Sequence, residues 1–172
     1  MVAQHGCRHR GPCEEVWALP APLVFLSQPW SRIHLDYAGP FQGHMFLVVV
    51  DSFAKWLEVA VVSAATSKNT IDKLREMFAR HGIPGTMVTD NGTPFTSFKF
   101  QTFVVRNGIQ HCQTAPHHPS SNGLAERAVQ TLKWGLLAQH TGDINTRLAR
   151  FLFQYRVTPH SVTGVAPSEL LM

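Results

Sequence analysis

PHHPSSNGLAERAVQTLK, residues Pro116 to Lys133, joins two incompatible kinds of sequence. Its first part, with Pro116, Pro119, Ser120, Ser121, Asn122 and Gly123, is polar and rich in structure breakers, whereas its second part carries a helical pattern, so a loop is expected to feed a helix N-terminus near Ser121. From there Asn122, Glu126 and Gln130 follow at steps of four, with Lys133 three further on. That spacing lines an amide, a carboxylate, an amide and an ammonium along one stripe of the helix. Leu124, Ala128, Leu132 and Leu136 form a second stripe suited to a core. A single glutamate on such a helix is ordinarily a solvated charge.

Glu126 gains significance from two aspartates upstream. Asp36 closes Arg32-Ile33-His34-Leu35-Asp36 and Asp90 closes Thr86-Met87-Val88-Thr89-Asp90, two short apolar runs that read as buried strands. Each run is followed by turn chemistry, Ala38-Gly39-Pro40 in one case and Asn91-Gly92-Thr93-Pro94 in the other. Strand ends in α/β sheets are where sites are built. Between Asp36 and Asp90 lie 53 residues (90 − 36 − 1), and between Asp90 and Glu126 lie 35 (126 − 90 − 1). This spacing resembles the D,D(35)E signature of the catalytic core of retroviral and LTR-retrotransposon integrases. The stretches PWSRIHLDYAGPF, VVVDSFAKWLEV, HGIPGTMVTDNGTPF, HHPSSNGLAERAVQTLK and TPHSVTGVAPSELL are similar to successive landmarks of the Ty3/Gypsy-like core, from about Pro29 to Leu171.

The resemblance implies an RNase H-like α/β fold and a metal-dependent polynucleotidyl transferase or endonuclease acting on DNA. It implies Asp36, Asp90 and Glu126 as catalytic residues and metal ligands, with Asp36 bridging two Mg²⁺ or Mn²⁺ ions, Asp90 holding one and Glu126 the other. Attack by water or a DNA 3′-hydroxyl on a phosphodiester needs an activated oxygen and charge stabilisation at phosphorus, which two such ions supply. An oxygen-only ligand set favours these hard cations over zinc. Asn91, Asn122, Gln130 and Lys133 are implied as nucleic-acid contacts. A turn-forming Asn, a helix cap and solvated polar side chains are the alternative readings of that group. Asp51 also ends a strand and competes with Asp36, but the family context places the first carboxylate in HLDYAGPF, which leaves Asp51 a turn role. Loop His111, His117 and His118 read as hydrogen bonders, because the motif uses no His ligand.

The bulk properties fit this reading. A chain of 172 residues, 44% hydrophobic, is long enough for one domain with a substantial core. A net charge of +4 favours a polyanionic partner, expected to be DNA. Three scattered cysteines, Cys7, Cys13 and Cys112, do not make a disulfide framework. No run reaches membrane-spanning length. Residues 1–28 read as an N-terminal extension and linker, and 29–172 as the catalytic core. His5, Cys7, His9 and Cys13 are too crowded for the HHCC zinc domain that the family often carries upstream. A nuclear location follows from the DNA substrate.

The core is expected to open with an antiparallel meander of three strands, about Arg32 to Tyr37, Met45 to Asp51 and Trp56 to Val62. A helix from Thr66 to Gly82, a strand ending at Asp90, a helix from Ser97 to Arg106 and a strand from Ile109 to Thr114 then imply parallel pairing, completing a mixed five-stranded sheet. A last helix, Asp143 to Val157, carries Ile144, Leu148, Phe151, Leu152 and Tyr155 on one side. That side reads as core or dimer contact, and Phe151 and Tyr155 offer apolar surface for a homodimer or higher oligomer. The chain stops just after the last landmark, so weak DNA binding without full integration is expected of it. A non-catalytic nucleic-acid-binding or dimerisation module with the same fold is the alternative.

Overall fold

The computed structural model describes residues 28–114 and 122–172. Its five strands are β1 (Arg32–Phe41), β2 (His44–Asp51), β3 (Leu57–Val62), β4 (Thr86–Thr89) and β5 (Gln110–Gln113). They form one mixed sheet in the order β3-β2-β1-β4-β5. The β1–β2 and β2–β3 pairs are antiparallel, and β1–β4 and β4–β5 are parallel. This is the meander followed by crossovers that the order of elements predicted.

The first strand differs from its expected end. It does not stop at Ala38-Gly39-Pro40 but continues to Phe41, with the ladder to β2 changing register between Ala38 and Phe41. Gly39 absorbs that irregularity: its φ is +126°, and a Cβ there would stand 2.8 Å from the His44 carbonyl. The reversal falls instead on Gln42 and Gly43, both at positive φ, a two-residue hairpin turn.

The helices are α1 (Ser67–His81), α2 (Thr93–Thr96), α3 (Phe98–Arg106), α4 (Gly123–Ala138), α5 (Ile144–Val157) and α6 (Pro167–Leu171). Thr66, Ser97 and Asp143 cap α1, α3 and α5, each accepting a backbone N–H from the first turn. The one-turn α2, read from sequence only as a turn, places Pro94 in its first turn, where the missing N–H costs nothing. The short α6 was not anticipated either. Residues 1–27 and the start of the loop before α4, with their Cys, His and Ser121 readings, lie outside the described residues.

Side chains alternate across each strand, so the sheet has two apolar faces and a helical layer on each. Ile33 and Leu35 of β1 join Leu47, Val49 and Met87 beneath Leu74, Met77, Phe100 and Val104 of α1 and α3. On the opposite face Ala38, Phe46, Val48 and Val50 meet Ala125, Val129 and Leu132 of α4 and Leu148 and Phe151 of α5. Asp36 has the parity of Ala38 and therefore lies on the α4 side.

The α5 face is committed within the chain. Phe151 packs against Gly135 of α4 so closely that a Cβ there would lie 2.0 Å from the ring, and the Tyr155 hydroxyl donates to the Lys55 carbonyl at 2.9 Å. The expectation that Phe151 and Tyr155 provide surface for self-association is corrected accordingly. Arg156 donates to the Leu57 carbonyl on edge strand β3 and lies 4.0 Å from the Trp56 ring centre, covering an otherwise open sheet edge. Its guanidinium also reaches Glu58, which is held by His81 at 2.8 Å, by Trp56 Nε1 at 3.0 Å and by Arg80 at 3.3 Å.

Candidate functional site

The pairing of β1 with β4 sets the site. His34 is level with Val88 in that parallel ladder, and continuing the register two residues brings Asp36 level with Asp90 on the adjacent strand. Neighbouring strands lie about 4.8 Å apart, so two aspartates distant in sequence stand side by side on one face. Asp90 comes immediately after β4 ends, where its Oδ1 accepts the Gly92 N–H at 3.0 Å. Asp36 Oδ1 accepts the N–H of Tyr37 at 2.7 Å.

Glu126 arrives on α4, which is anchored to the same strand. Asn122, the residue before α4, is only 3% exposed, and its Nδ2 donates to the Leu35 carbonyl at 3.1 Å. The tether holds the helix start one residue from Asp36. One turn on, the Glu126 N–H bonds back to the Asn122 carbonyl at 3.1 Å, leaving the exposed carboxylate in the first turn of α4.

The electrostatics of Asp36 register both of the other carboxylates. The Asp36 carboxyl is pushed up to about 6, first by burial and then by Asp90 and Glu126, against the lowering effects of the Tyr37 amide and the Lys133 ammonium. A negative charge is thus disfavoured at Asp36 by burial and by its two acidic neighbours. Among the described residues no three His, Cys, Asp or Glu side chains are gathered closely enough to hold one ion as they stand. The donor set still suits a hard divalent ion: it is all oxygen, and two of its carboxylates disfavour the charge of the third.

The other sequence-predicted residues divide. Lys133 is half-buried and near enough to act on Asp36, and Gln130 is exposed one turn beyond Glu126. Asn91 is exposed but its Nδ2 donates to the Thr114 carbonyl at 2.7 Å, tying the end of β4 to the end of β5. Asn122 turns inward rather than toward solvent. Asp51 is fully buried with Oδ2 accepting the Ala54 N–H at 2.8 Å, the turn role expected of it. His111 bonds to Thr89 Oγ1 at 2.9 Å and to Gln101, and His117 and His118 lie outside the described residues.

Sequence reasoning missed His34. It is 7% exposed, two positions before Asp36 and therefore on its face, and its imidazole is held down to about 4 by burial, Arg32 and Lys55. Its Nδ1 and the Asn122 Oδ1 are both buried without a partner in hydrogen-bond geometry, yet the amide still acts on the ring and favours its charged form. The alternation along β1 was the available signal.

A central mixed sheet with helices on both faces, with Asp36 on its middle strand, Asp90 just past the adjacent strand and Glu126 in the first turn of α4, is the RNase H-like arrangement. The Integrase core domain family matches residues 27–119, and the chain belongs to that family. An uncharacterized protein of Caenorhabditis elegans is 42% identical over 170 residues, covering 94% of this chain and 13% of that protein. The chain spans 6% to 26% of the retroviral polyproteins it matches. Among solved structures, the magnesium complex of the HTLV-2 integrase catalytic core domain, in a trimeric form, superposes with a TM-score of 0.72 at 21% identity, over 85% of this chain and 99% of that one. A simian T-cell lymphotropic virus intasome, bound to the PP2A regulatory subunit B56 gamma, gives 0.76 at 23% identity over 83% and 54%. These likenesses establish the fold as that of integrase catalytic cores.

Proposed function

We propose that this chain is the catalytic core of a retrotransposon-type integrase, a polynucleotidyl transferase that directs water or a DNA 3′-hydroxyl onto a DNA phosphodiester. The observation that supports this reading most is the convergence on Asp36: its neighbour in the parallel register is Asp90, its neighbour across the helix layer is Glu126, and both disfavour its charge. Membership of the integrase core family and the magnesium-bound structural relative agree with it.

In this reading Asp36, Asp90 and Glu126 hold two Mg²⁺ or Mn²⁺ ions, which supply an activated oxygen nucleophile and charge neutralisation at phosphorus. Asp36 is fixed by its strand and by the Tyr37 amide, and Asp90 by the Gly92 amide, so both keep their position before substrate arrives. Glu126 is placed by α4, whose start depends on the Asn122 tether. Lys133 and Gln130, on the same stripe as Glu126, face a phosphate backbone laid along the helix. Asn91 and Asn122 act through the backbone carbonyls they bind, shaping the two ends of the site. The partners are DNA and further copies of the chain, and the place of action is the nucleus.

The test is a cleavage and joining assay with Mn²⁺ on branched DNA whose strands are already held together by base pairing. Metal-dependent cutting or rejoining is expected. Equal or better activity on RNA:DNA hybrid assigns the chain to another nuclease class, and no activity on any substrate favours a non-catalytic module.

A further inference from the structure

On the flank of α4 adjoining the Glu126 stripe, the chain forms a notch of about 220 Å³ lined by Lys55, Arg127 and His160, with Leu124 and Tyr155 among its walls. The three basic side chains come from the β2–β3 corner, from α4 and from the segment after α5. Among the described residues none of them has a carboxylate within ion-pairing distance, since the ion pairs present lie within α1 or converge on Glu58. Lys55 is half-buried, its Nζ donates to the Ser52 carbonyl, and the carboxylate acting on it, Asp51, already accepts from Ala54. His160 is held below its usual range by burial and then by Lys55 and Arg127, and Arg127 likewise disfavours the charge on Lys55 across the notch.

The donors are also preset. His160 Nδ1 accepts the Val162 N–H at 3.2 Å, which leaves Nε2 as the protonated nitrogen of the neutral ring. The Tyr155 hydroxyl donates to the Lys55 carbonyl at 2.9 Å and its ring packs edge-on against His160 at 6.2 Å, joining corner and segment rigidly. The TPHSVTGVAPSELL stretch, which the carboxylate chemistry leaves without a role, is what delivers His160.

We infer that this notch is a phosphate-binding site, built by Lys55, Arg127 and His160 to take one backbone phosphate of the nucleic acid whose neighbouring phosphates reach the Glu126 face of α4. The inference rests on the proposed DNA substrate, but not on catalysis. Two unpaired cations and an imidazole N–H meeting in a small concavity are complemented by an anion, and a helix that presents Glu126 on one stripe and this notch on the next grips a strand beside the site that reacts with it.

The experiment measures binding of the full 172-residue chain to a DNA duplex in EDTA across a range of salt concentrations. Arg127→Gln and His160→Gln are compared with the charge-matched control Lys99→Gln on α3. Each phosphate contact contributes about 0.9 to the slope of log K against log salt. Arg127→Gln should lower the slope by about 1 and weaken binding about three- to tenfold, His160→Gln should weaken it less, and Lys99→Gln should leave both unchanged. Arg127 is exposed, so its variant folds. An unchanged slope in Arg127→Gln, or a wild-type chain that does not bind duplex, overturns the inference. A parallel titration with inorganic phosphate follows the His160 ring protons by NMR. Saturation by free phosphate combined with an unchanged DNA slope assigns the notch to a free anion and also overturns it. Because no phosphoryl transfer runs in EDTA, a wrong carboxylate assignment leaves these results untouched and shows only in activity.

Discussion

Asn122 reaches across 87 residues of chain to donate its side-chain N–H to the Leu35 carbonyl at 3.1 Å, fixing the start of α4 beside the strand that carries Asp36. The amide is buried, so its loss leaves an unsatisfied carbonyl worth about 1–3 kcal/mol. Asn122→Ala should lower stability by that amount in urea and reduce Mn²⁺-dependent cleavage by about tenfold or more, because Glu126 sits one turn away. Full activity with reduced stability makes the tether purely structural.

Glu58 stores a comparable dependence two strands away, level with Leu35 through Val49. It is buried, and despite the cost of burial its carboxyl is held below its ordinary value of 4.5 by His81, Trp56, Arg156 and Arg80. A folded-state value below the unfolded one gives stability that is present above about 4.5 and lost as pH falls through the lowered folded value. Glu58→Gln should therefore lower the melting temperature at pH 7 by several degrees and narrow the difference from wild type on acidification below pH 4.5, as thermal unfolding across pH will show. A constant difference across that range removes the charge from the explanation.

Gly135 tests the packing of the helical layer. Any Cβ at this position meets the Phe151 ring at 2.0 Å, so Gly135→Ala should cost about 1–3 kcal/mol from overpacking, against the roughly 1 kcal/mol that alanine gains over glycine in a helix. Adding Phe151→Leu should recover part of the loss. A more stable single variant would show that α5 shifts freely on α4.

Asp36 gives the opposite pH signature. Its carboxyl is raised from an ordinary 3.8 to about 6, so the folded state is favoured below 3.8 and loses that contribution as pH rises through 6. In EDTA, Asp36→Asn should be more stable than wild type at pH 7.5, by on the order of 1–2 kcal/mol after allowing for solvent screening, with the gain vanishing near pH 4. Mn²⁺ should stabilise wild type and not the variant. Equal melting temperatures at both pH values would contradict the raised value of the Asp36 carboxyl.

The sequence made the succession of strands and helices and the three-carboxylate spacing readable because both are written in patterns that need no tertiary information: apolar runs ended by turn residues, and a change of period at Thr66. What it hid was set by contacts between distant residues. Strand β1 outran its Gly-Pro signal because Gly39 lets β2 pair past it. Asn122 looked like a substrate contact on a helical stripe, yet the Leu35 carbonyl claims it. The face with Phe151 and Tyr155 read as core or dimer contact, and only Gly135 and Lys55 opposite it decide for the core. His34 carried no motif at all.

The carboxylate assignment is tested most directly by one rate: Mn²⁺-dependent strand cleavage by Asp36→Asn relative to wild type, with Asp51→Asn beside it. A ligand-to-amide change at a two-metal centre is expected to cost at least about a hundredfold. Asp36→Asn should retain under about 1% of the rate, with its circular dichroism spectrum unchanged, while Asp51→Asn retains substantial activity. A wild-type rate in Asp36→Asn, or loss confined to Asp51→Asn, would show that the reaction centre is not the one formed by Asp36, Asp90 and Glu126.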